Sequence, residues 1–572
     1  MLSLKKNHSV IEGAFNKSSL TFILNTTIWV TMVDGVVIGN FLGIDAVASY
    51  GLAWPIVLFY GVIAAVFSGG TRTLYSQLVG KGRIDEANKV FSVTCVASTF
   101  ISVLLVALSL VFSENIASLL GATGSNAHLK PLISNYIRGF SFELPFFCMG
   151  GILSALVVID SDFKRAGYAR LAMSFFDIAG DLIVVLFFDG GMFLLGFTTA
   201  IAQLVYFFVM LTHFFQKNRM LRLKLPSPAE FARIFQDIIS NGAPAGITSA
   251  SGTVGGILVN RILSLSATSS IIAAFSVHKS VGSMFGVAYM CIADSVWTLS
   301  GIYYGEEDKK ALGKLQKLAV RKGLFYNCII GLIIFVFARF FAMLFIGNAD
   351  SDALSLATEA VRLLAVSMPL FVIVFSFKNY LMGIGRKKSA NIYSVLSECV
   401  VQVLSVVAMV SILGGRGSWF ATPLRLFTMI LVAFFYIRMW KTCSSFHEKR
   451  LMLPEEFYSP DEKELSASVK SIDEVLALSK SAKKLCKENG IDDEKANQLV
   501  HCIEEAGNKI IVHGFSDSKP HSIDIRIIFK KEKLILRTRD DCRKLNPEII
   551  REIAGDSHYI NTVGTNNFIF QI

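Results

Sequence analysis

Four carboxylates stand within long apolar stretches of the first 220 residues: Asp34, Glu143, Asp177 and Asp181. A charge at a bilayer centre costs at least about 2.5–3.5 kcal/mol, so each needs a chemical reason to be there. Asp177 and Asp181 are four apart and share one helix face. In a low dielectric such a pair does not ionise twice; it shares a proton or holds a cation between its oxygens. At 1.5 Å per residue, Asp34 lies about 24 Å and Asp181 about 20 Å from the inner surface, so they meet if the first and fifth helices are neighbours. An all-oxygen cluster of this kind carries protons or Na⁺, and Asn25, Thr26, Thr27 and Asn40 offer further ligands. The plain alternative for Asp34 is a hydrogen bond to backbone at a distortion near Gly35 and Gly39. Glu143, beside Pro145, either joins the ion site or binds backbone freed by the proline.

The second half is charged differently. Lys279 and Glu398 fall near mid-depth, and Arg425 lies about 12 Å from the outer face. The plain reading is a buried Lys279–Glu398 ion pair. The functional reading is a substrate pocket that tolerates anions, completed by Asn260 and Gln402. Arg261 and Lys378 fall near helix ends, where long basic side chains snorkel to the surface. An acidic half thus suits a coupling cation, and a mixed-charge half suits substrate.

What positions these groups is a series of membrane spans. The chain has 572 residues, of which 17% are charged, and a mean hydropathy of +0.54. A soluble domain carries about a quarter charged residues. Spans of about 20 apolar residues begin near Ser18, Val47, Phe91, Pro131, Leu171, Met192, Ala243, Ile271, Leu324, Ala357, Asn391 and Trp419, twelve in all. Lys and Arg cluster in alternate loops. They precede the first span at Lys5 and Lys6, and follow the second at Arg72, Lys81, Arg83 and Lys89. They recur after the fourth, sixth, eighth, tenth and twelfth spans, while the intervening loops carry almost none. The positive-inside rule then places both termini in the cytoplasm of a multi-pass plasma-membrane protein. It also accounts for the net charge of +11 without nucleic acid, since no basic stripe with stacking aromatics occurs. The nine cysteines show no metal-ligand spacing, so neither a zinc site nor disulfides are expected. No cleavable signal pattern opens the chain, and the first span serves as its own insertion signal.

The chain repeats itself at an offset of 222–225 residues, seen in Gly80/Gly305 and Lys164/Arg386. Six helices per unit is an even number, so the halves insert in the same orientation. Parallel repeats with a binding site between halves are a transporter architecture.

The segment VDGVVIGNFLGIDAVASYGLAWPI (Val33–Ile56) resembles the first-helix signature of the multidrug and toxic compound extrusion family. The loop GGTRTLYSQLVGKGRIDEANKVF and the motif NGAPAGI at Asn241–Ile247 are similar to that family as well. The resemblance spans about 420 residues, the whole membrane part. It implies twelve helices in two lobes around a V-shaped cavity, and efflux driven by proton or sodium entry. It places Asp34 on the acidic position of the first-helix motif. It also aligns FDIAGDL with a fifth-helix NxxxD pattern, with Asp177 where Asn is usual and Asp181 at the Asp. Lipid-linked oligosaccharide flippases belong to the same superfamily.

About 130 polar residues close the chain, one domain's length. Leu465–Ile572 reads β-α-α-β-β-α-β, with strand alternation in HSIDIRIIF and KLILRTRDD and a helix starting at the acidic cap of DDEKANQLVHCIEEAGNKIIVHGF. Glu504, Asn508 and His513-Gly514 resemble the anti-sigma-factor, histidine-kinase-like ATPases, a Bergerat-type fold. There Asn508 would ligate Mg²⁺, Glu504 would act as base, and Asp540 would contact adenine. Cys542 stands where that family has glycine, so backbone approaches the base less freely, and no glycine-rich lid follows to hold phosphates. ATP and Mg²⁺ binding is therefore expected to be weak, and hydrolysis absent.

The expectation is an all-α polytopic membrane protein of twelve helices in two six-helix lobes, plus a small cytoplasmic α/β domain. Residues 1–16 form an N-terminal tail, 17–220 the first lobe, 221–240 a connection, 241–440 the second lobe, 441–464 a linker and 465–572 the degenerate ATPase-like domain. The expected activity is export of amphiphilic small molecules in exchange for H⁺ or Na⁺, with no enzyme activity and no resident cofactor or metal. Two alternatives stand beside it: a flippase for a lipid-linked precursor, and a membrane sensor that signals through its ATPase-like tail to an anti-sigma-type cytoplasmic partner.

Overall fold

A computed structural model describes residues 10–24, 44–188, 191–216, 219–346, 351–440, 446–454, 457, 463–515, 521–529, 534–544 and 557–571. Asn25, Thr26, Thr27, Asp34 and Asn40 lie outside the described residues.

The membrane part is helical. Its principal helices are α1 (Val10–Leu24), α2 (Ile44–Gly80), α3 (Ile84–Val111), α4 (Lys130–Ser141), α5 (Glu143–Ile159), α6 (Phe163–Phe187) and α7 (Met192–Leu211) in the first half. The second half holds α8 (Pro228–Ser266), α9 (Ser269–Gly305), α10 (Lys309–Val336), α11 (Ser351–Gly383), α12 (Lys387–Val395), α13 (Val401–Leu413) and α14 (Gly417–Arg438). Every expected span start falls on one of them, α4 and α5 sharing one start and α12 and α13 another. Among the described residues, seven helices are long and apolar enough to cross a membrane, or eight if the pair bent by 41° at Phe142 is one span.

The repeat is visible in the turns that close four helices. Lys81, Gly82 and Arg83 donate backbone N–H groups to Gln77, Val79 and Leu78; Glu306, Glu307 and Asp308 donate to Ile302, Tyr304 and Tyr303 in the same pattern. Asp160–Asp162 and Ile384–Arg386 repeat it. Each turn needs one residue with positive φ, filled by Gly82, Ser161, Glu307 and Gly385 (φ 79°, 63°, 57° and 73°). This is the left-handed closure that ends many helices, usually with glycine.

The tail is a five-stranded antiparallel sheet of β1 (Lys463–Val469), β2 (Ile523–Phe529), β3 (Leu534–Asp540), β4 (Ser557–Thr562) and β5 (Thr565–Gln571), in the order β1-β2-β3-β5-β4. Two helices, α15 (Ile472–Glu488) and α16 (Asp493–Gly514), complete its core with Ile523, Ile525, Ile527, Leu536, Phe568 and Phe570. Where the sequence pattern reads as one closing strand, the structure has the hairpin of β4 and β5. Val563 and Gly564 at its tip both take positive φ (48° and 69°), the geometry that matches the twist of two-residue hairpins. The third helix expected after Pro547 falls mainly on residues 545–556, outside the described residues.

Period-2 alternation gives the sheet a second face, and that face lies on the ends of the helix bundle. Ile560 and Ile569 join the buried cluster of the first half, and Val563 joins that of the second. We call this end of the bundle the tail side.

Candidate functional site

The first half carries its acids on α6. Asp177 is 1% exposed and Asp181 2%, while Phe175, Phe176 and Leu182 on the same helix face outward. Thr198 Oγ1 of α7 donates to Asp181 Oδ1 at 2.6 Å. Neither carboxylate oxygen of Asp177 has a hydrogen-bond partner among the described residues. Buried polar atoms are nearly always paired, so this carboxyl is chemically able to hold a proton or a cation. Glu143 is buried at the 41° break where α5 begins.

The second half holds a different network, and it corrects the expected pairing. Lys378 Nζ, not Lys279, pairs with Glu398 Oε1, at 2.8 Å. Helix α11 runs on to Gly383, so Lys378 lies more than a turn inside the helix rather than at a snorkelling end, and its side chain is 3% exposed. Glu398 sits in a π-helical turn (Leu396–Val400) between α12 and α13. Such bulges recur at functional sites. Arg425 stands 3.8 Å from Glu398 and donates to Gln402 Oε1 at 2.8 Å. Tyr289 stacks on Phe371 and Phe375 lies tilted against Tyr289 beside this network, with Lys378 4.1 Å from the Phe375 ring centre. Asn260 and Lys279 are exposed residues of α8 and α9. Of the expected substrate residues, the structure therefore joins Glu398, Gln402 and Arg425, adds Lys378, and brings neither Asn260 nor Lys279 into their hydrogen bonding. Sequence reading also passed over His278, buried between Ala360 O (2.8 Å) and Thr422 Oγ1 (3.2 Å).

The two halves meet through a pair that sequence reading missed. Arg72 reads in the sequence as a loop residue, but α2 continues to Gly80 and Arg72 is 7% exposed within it. Its Nη1 reaches Asp294 Oδ1 of α9 at 3.2 Å, and its Nε donates to Thr298 Oγ1 at 2.9 Å. The guanidinium lies 4.8 Å from the Trp297 ring centre, and Trp297 Nε1 donates back to Thr73 Oγ1 at 2.9 Å. Asn379 Nδ2 of α11 completes the group, 3.3 Å from Asp294 Oδ1. Further toward the tail side, α2 and α9 cross backbone to backbone. A Cβ at Gly80 would collide with Ile302 O, and one at Gly305 with Gln77 O. Both pairs are related by the 225-residue repeat, so the crossing is symmetric about the halves. The available signal was an acid in ADSVWTLSGIYYG, the repeat counterpart of the GGTRTLY segment.

The tail binds both partners of that crossing. Arg526 donates to Glu306 O and Glu307 O, each at 2.8 Å, at the end of α9. Arg537 donates to Gly80 O at 3.0 Å, at the end of α2. These two arginines are directly opposite each other on β2 and β3, a repulsive arrangement in an isolated sheet. Helix C-termini supply the free carbonyls and negative dipole ends that relieve it. Arg539 bonds Glu306, lies 3.6 Å from Asp308 and covers the Tyr303 ring at 4.7 Å. Burial works against its charge, yet Glu306, Tyr303 and Asp308 outweigh this and hold its pKa above the ordinary value. The hairpin tip engages the first half: Val563 N and Thr562 Oγ1 donate to Ile159 O at 3.1 and 3.0 Å, and Lys17 Nζ donates to Gly564 O at 2.9 Å.

The expected nucleotide residues lie on α16 and β3. Glu504 accepts from Ser479 Oγ at 2.5 Å, and Asn508 is exposed. Asp540 is fully buried, taking hydrogen bonds from Asn566 Nδ2 (2.7 Å) and Cys542 N (3.1 Å). Burial pushes its carboxyl up to about 6 against those hydrogen bonds. Nearby, donor atoms of His521, Asp541 and Cys542 fall within 4.8 Å of one another, with Asp541 paired to His521 at 3.3 Å.

Comparison with known proteins gives these features a context. The family model described as MatE matches residues 19–183 and 244–407. Multidrug export protein MepA of Staphylococcus aureus (strain MSSA476) is 20% identical over 398 residues, 69% of this chain and 86% of that protein. Probable multidrug resistance protein YoeA of Bacillus subtilis (strain 168) is 22% identical over 356 residues, 59% of this chain and 74% of that protein. A solved structure described as the outward-facing conformation of a multidrug resistance MATE family transporter of the MOP superfamily superposes with a TM-score of 0.69 at 20% identity, covering 75% of this chain and 95% of that one. That likeness concerns the fold.

Proposed function

The chain belongs to the MatE family, a family of multi-pass membrane transporters, and from that premise we propose that it exports amphiphilic small molecules in exchange for H⁺ or Na⁺. Its twelve spans work by alternating access, and the tail is a cytoplasmic regulatory latch. The observation that carries this reading is the division of labour between halves. Asp177, buried beside Asp181 with no hydrogen-bond partner among the described residues, suits a coupling proton or cation. The Lys378–Glu398–Arg425–Gln402 network, flanked by Tyr289, Phe371 and Phe375, suits an amphiphile with mixed charge. MepA and YoeA, named for multidrug export and resistance, agree with such a cargo.

The Arg72–Asp294 pair and the Gly80–Gly305 crossing join the halves on the tail side, so opening that side must break both. Sheet arginines capping α2 and α9 together would oppose the opening. The latch must therefore loosen once per cycle, or be released by a signal.

Transport by variants tests the coupling reading. Asp34→Asn and Asp177→Asn are expected to insert and fold, yet to lose gradient-driven movement of a fluorescent cationic dye in inverted vesicles. Full transport by both variants would remove the acidic half from the mechanism.

A further inference from the structure

A cavity of 1760 Å³ opens between the second half and the tail. Pockets for drug-sized ligands run to about 300–1,000 Å³, so this one suits a longer molecule. One wall is apolar and comes from spans: Phe377 of α11 with Phe434 and Ile437 of α14. Phe434 is 42% exposed although it points into the cavity. The facing wall is β1 and the first two turns of α15.

The rim is basic. Lys314, Lys317 and Arg321 lie three and four residues apart along α10, so they form one stripe, and all three are exposed at the cavity. Lys470 of the tail stands on the other wall. Two of the acids on the rim are already engaged: Glu12 pairs with Lys322 at 2.7 Å, and Glu474 accepts from the Lys470 backbone at 2.7 Å. The stripe lies on the first turns of α10 and the apolar wall near the last turns of α11 and α14. These helix ends carry the Lys and Arg clusters of the positive-inside pattern. An apolar wall ending at a row of cations, where spans leave the bilayer, matches the shape and charge of one molecular class.

We propose that this cavity binds an anionic phospholipid of the inner leaflet, its phosphate on Lys314, Lys317 and Arg321 and its acyl chains against Phe377, Phe434 and Ile437. Basic pockets between spans on the cytoplasmic side bind such head groups. The occupant touches both the second half and the tail, so its binding favours the docked tail. The lipid site stands on its own geometry and goes beyond the transport reading, which would survive its failure.

Native mass spectrometry of the full chain, exchanged into micelles with phosphatidylglycerol or phosphatidylcholine, tests it. Wild type is expected to retain phosphatidylglycerol preferentially. The Lys314→Gln/Lys317→Gln/Arg321→Gln variant should lose that preference by about tenfold or more, as three basic contacts would supply. The Lys480→Gln/Lys484→Gln/Lys487→Gln variant, which removes tail charges outside the cavity, should keep it. Equal retention of the two lipids by wild type overturns the proposal. So does an undiminished preference in the α10 variant, or an equal loss in the control variant.

Discussion

At the residue scale, function turns on where a buried charge finds its partner. Asp177 has none among the described residues, whereas Glu398 has Lys378 and Arg425. Removing the charge from each should therefore act in opposite directions on stability. Asp177→Asn is expected to leave thermal stability in detergent unchanged or raised, because an unpaired buried carboxylate is costly. Glu398→Gln is expected to lower it by about 3–5 kcal/mol, the cost of breaking one side of a buried pair. Melting curves of the two variants check this; destabilisation of equal size in both would mean Asp177 is paired too. Asp540 supplies a pH test in the tail. Its carboxyl titrates near 6 in the folded chain, above about 4 when unfolded. A raised carboxyl contributes stability that is full below pH 4 or so and lost as the pH rises through about 6. Asp540→Asn should thus stabilise the tail of the full chain at about pH 8, by up to about 3 kcal/mol, and far less at about pH 4. An equal gain at both pH values would contradict the assignment.

At the scale of elements, the sequence was legible where its signal is periodic. Apolar runs flanked by Lys and Arg placed all twelve span starts on helices, because length and hydrophobicity are local properties. It misled where a helix outruns its apolar core. Arg72 and Lys378 look like loop and end residues, yet α2 and α11 extend past them and bury both. Pairing across helices is a matter of three-dimensional proximity, so Lys279 and Lys378 could not be told apart as partners of Glu398. In β2 and β3, alternation was legible, but not that the face carrying Arg526, Arg537 and Arg539 lies on helix ends. The glycines of the crossing carry a sharper expectation. Gly80→Ala and Gly305→Ala each drive a Cβ into a carbonyl of the other helix, and overpacking of this kind costs about 1–3 kcal/mol. Melting temperatures should fall for both, while Gly61→Ala, with open space around it, should not change.

At the scale of the whole molecule, the tail holds α2 of one half and α9 of the other at their ends, and the latch reading makes a reciprocal prediction. Arg539→Glu should undock the tail, exposing it to protease and speeding dye transport. Adding Glu306→Arg to that variant should restore docking by exchanging the charges. If neither variant differs from wild type, the tail is not a latch. The expected nucleotide residues do not line the cavity between the second half and the tail, and Asp540 is covered by Asn566. Mg-ATP is accordingly expected to bind the full chain more weakly than about 1 mM by calorimetry. Micromolar affinity would favour the sensor alternative instead. The central claim, however, is coupled export, and one measurement addresses it directly: uptake of a fluorescent cationic dye into inverted vesicles containing the wild-type chain, with a proton or a sodium gradient imposed separately. The account predicts dye accumulation under one of the two gradients, collapsing when an ionophore dissipates that gradient. Dye movement that is the same under either gradient and under none would contradict it.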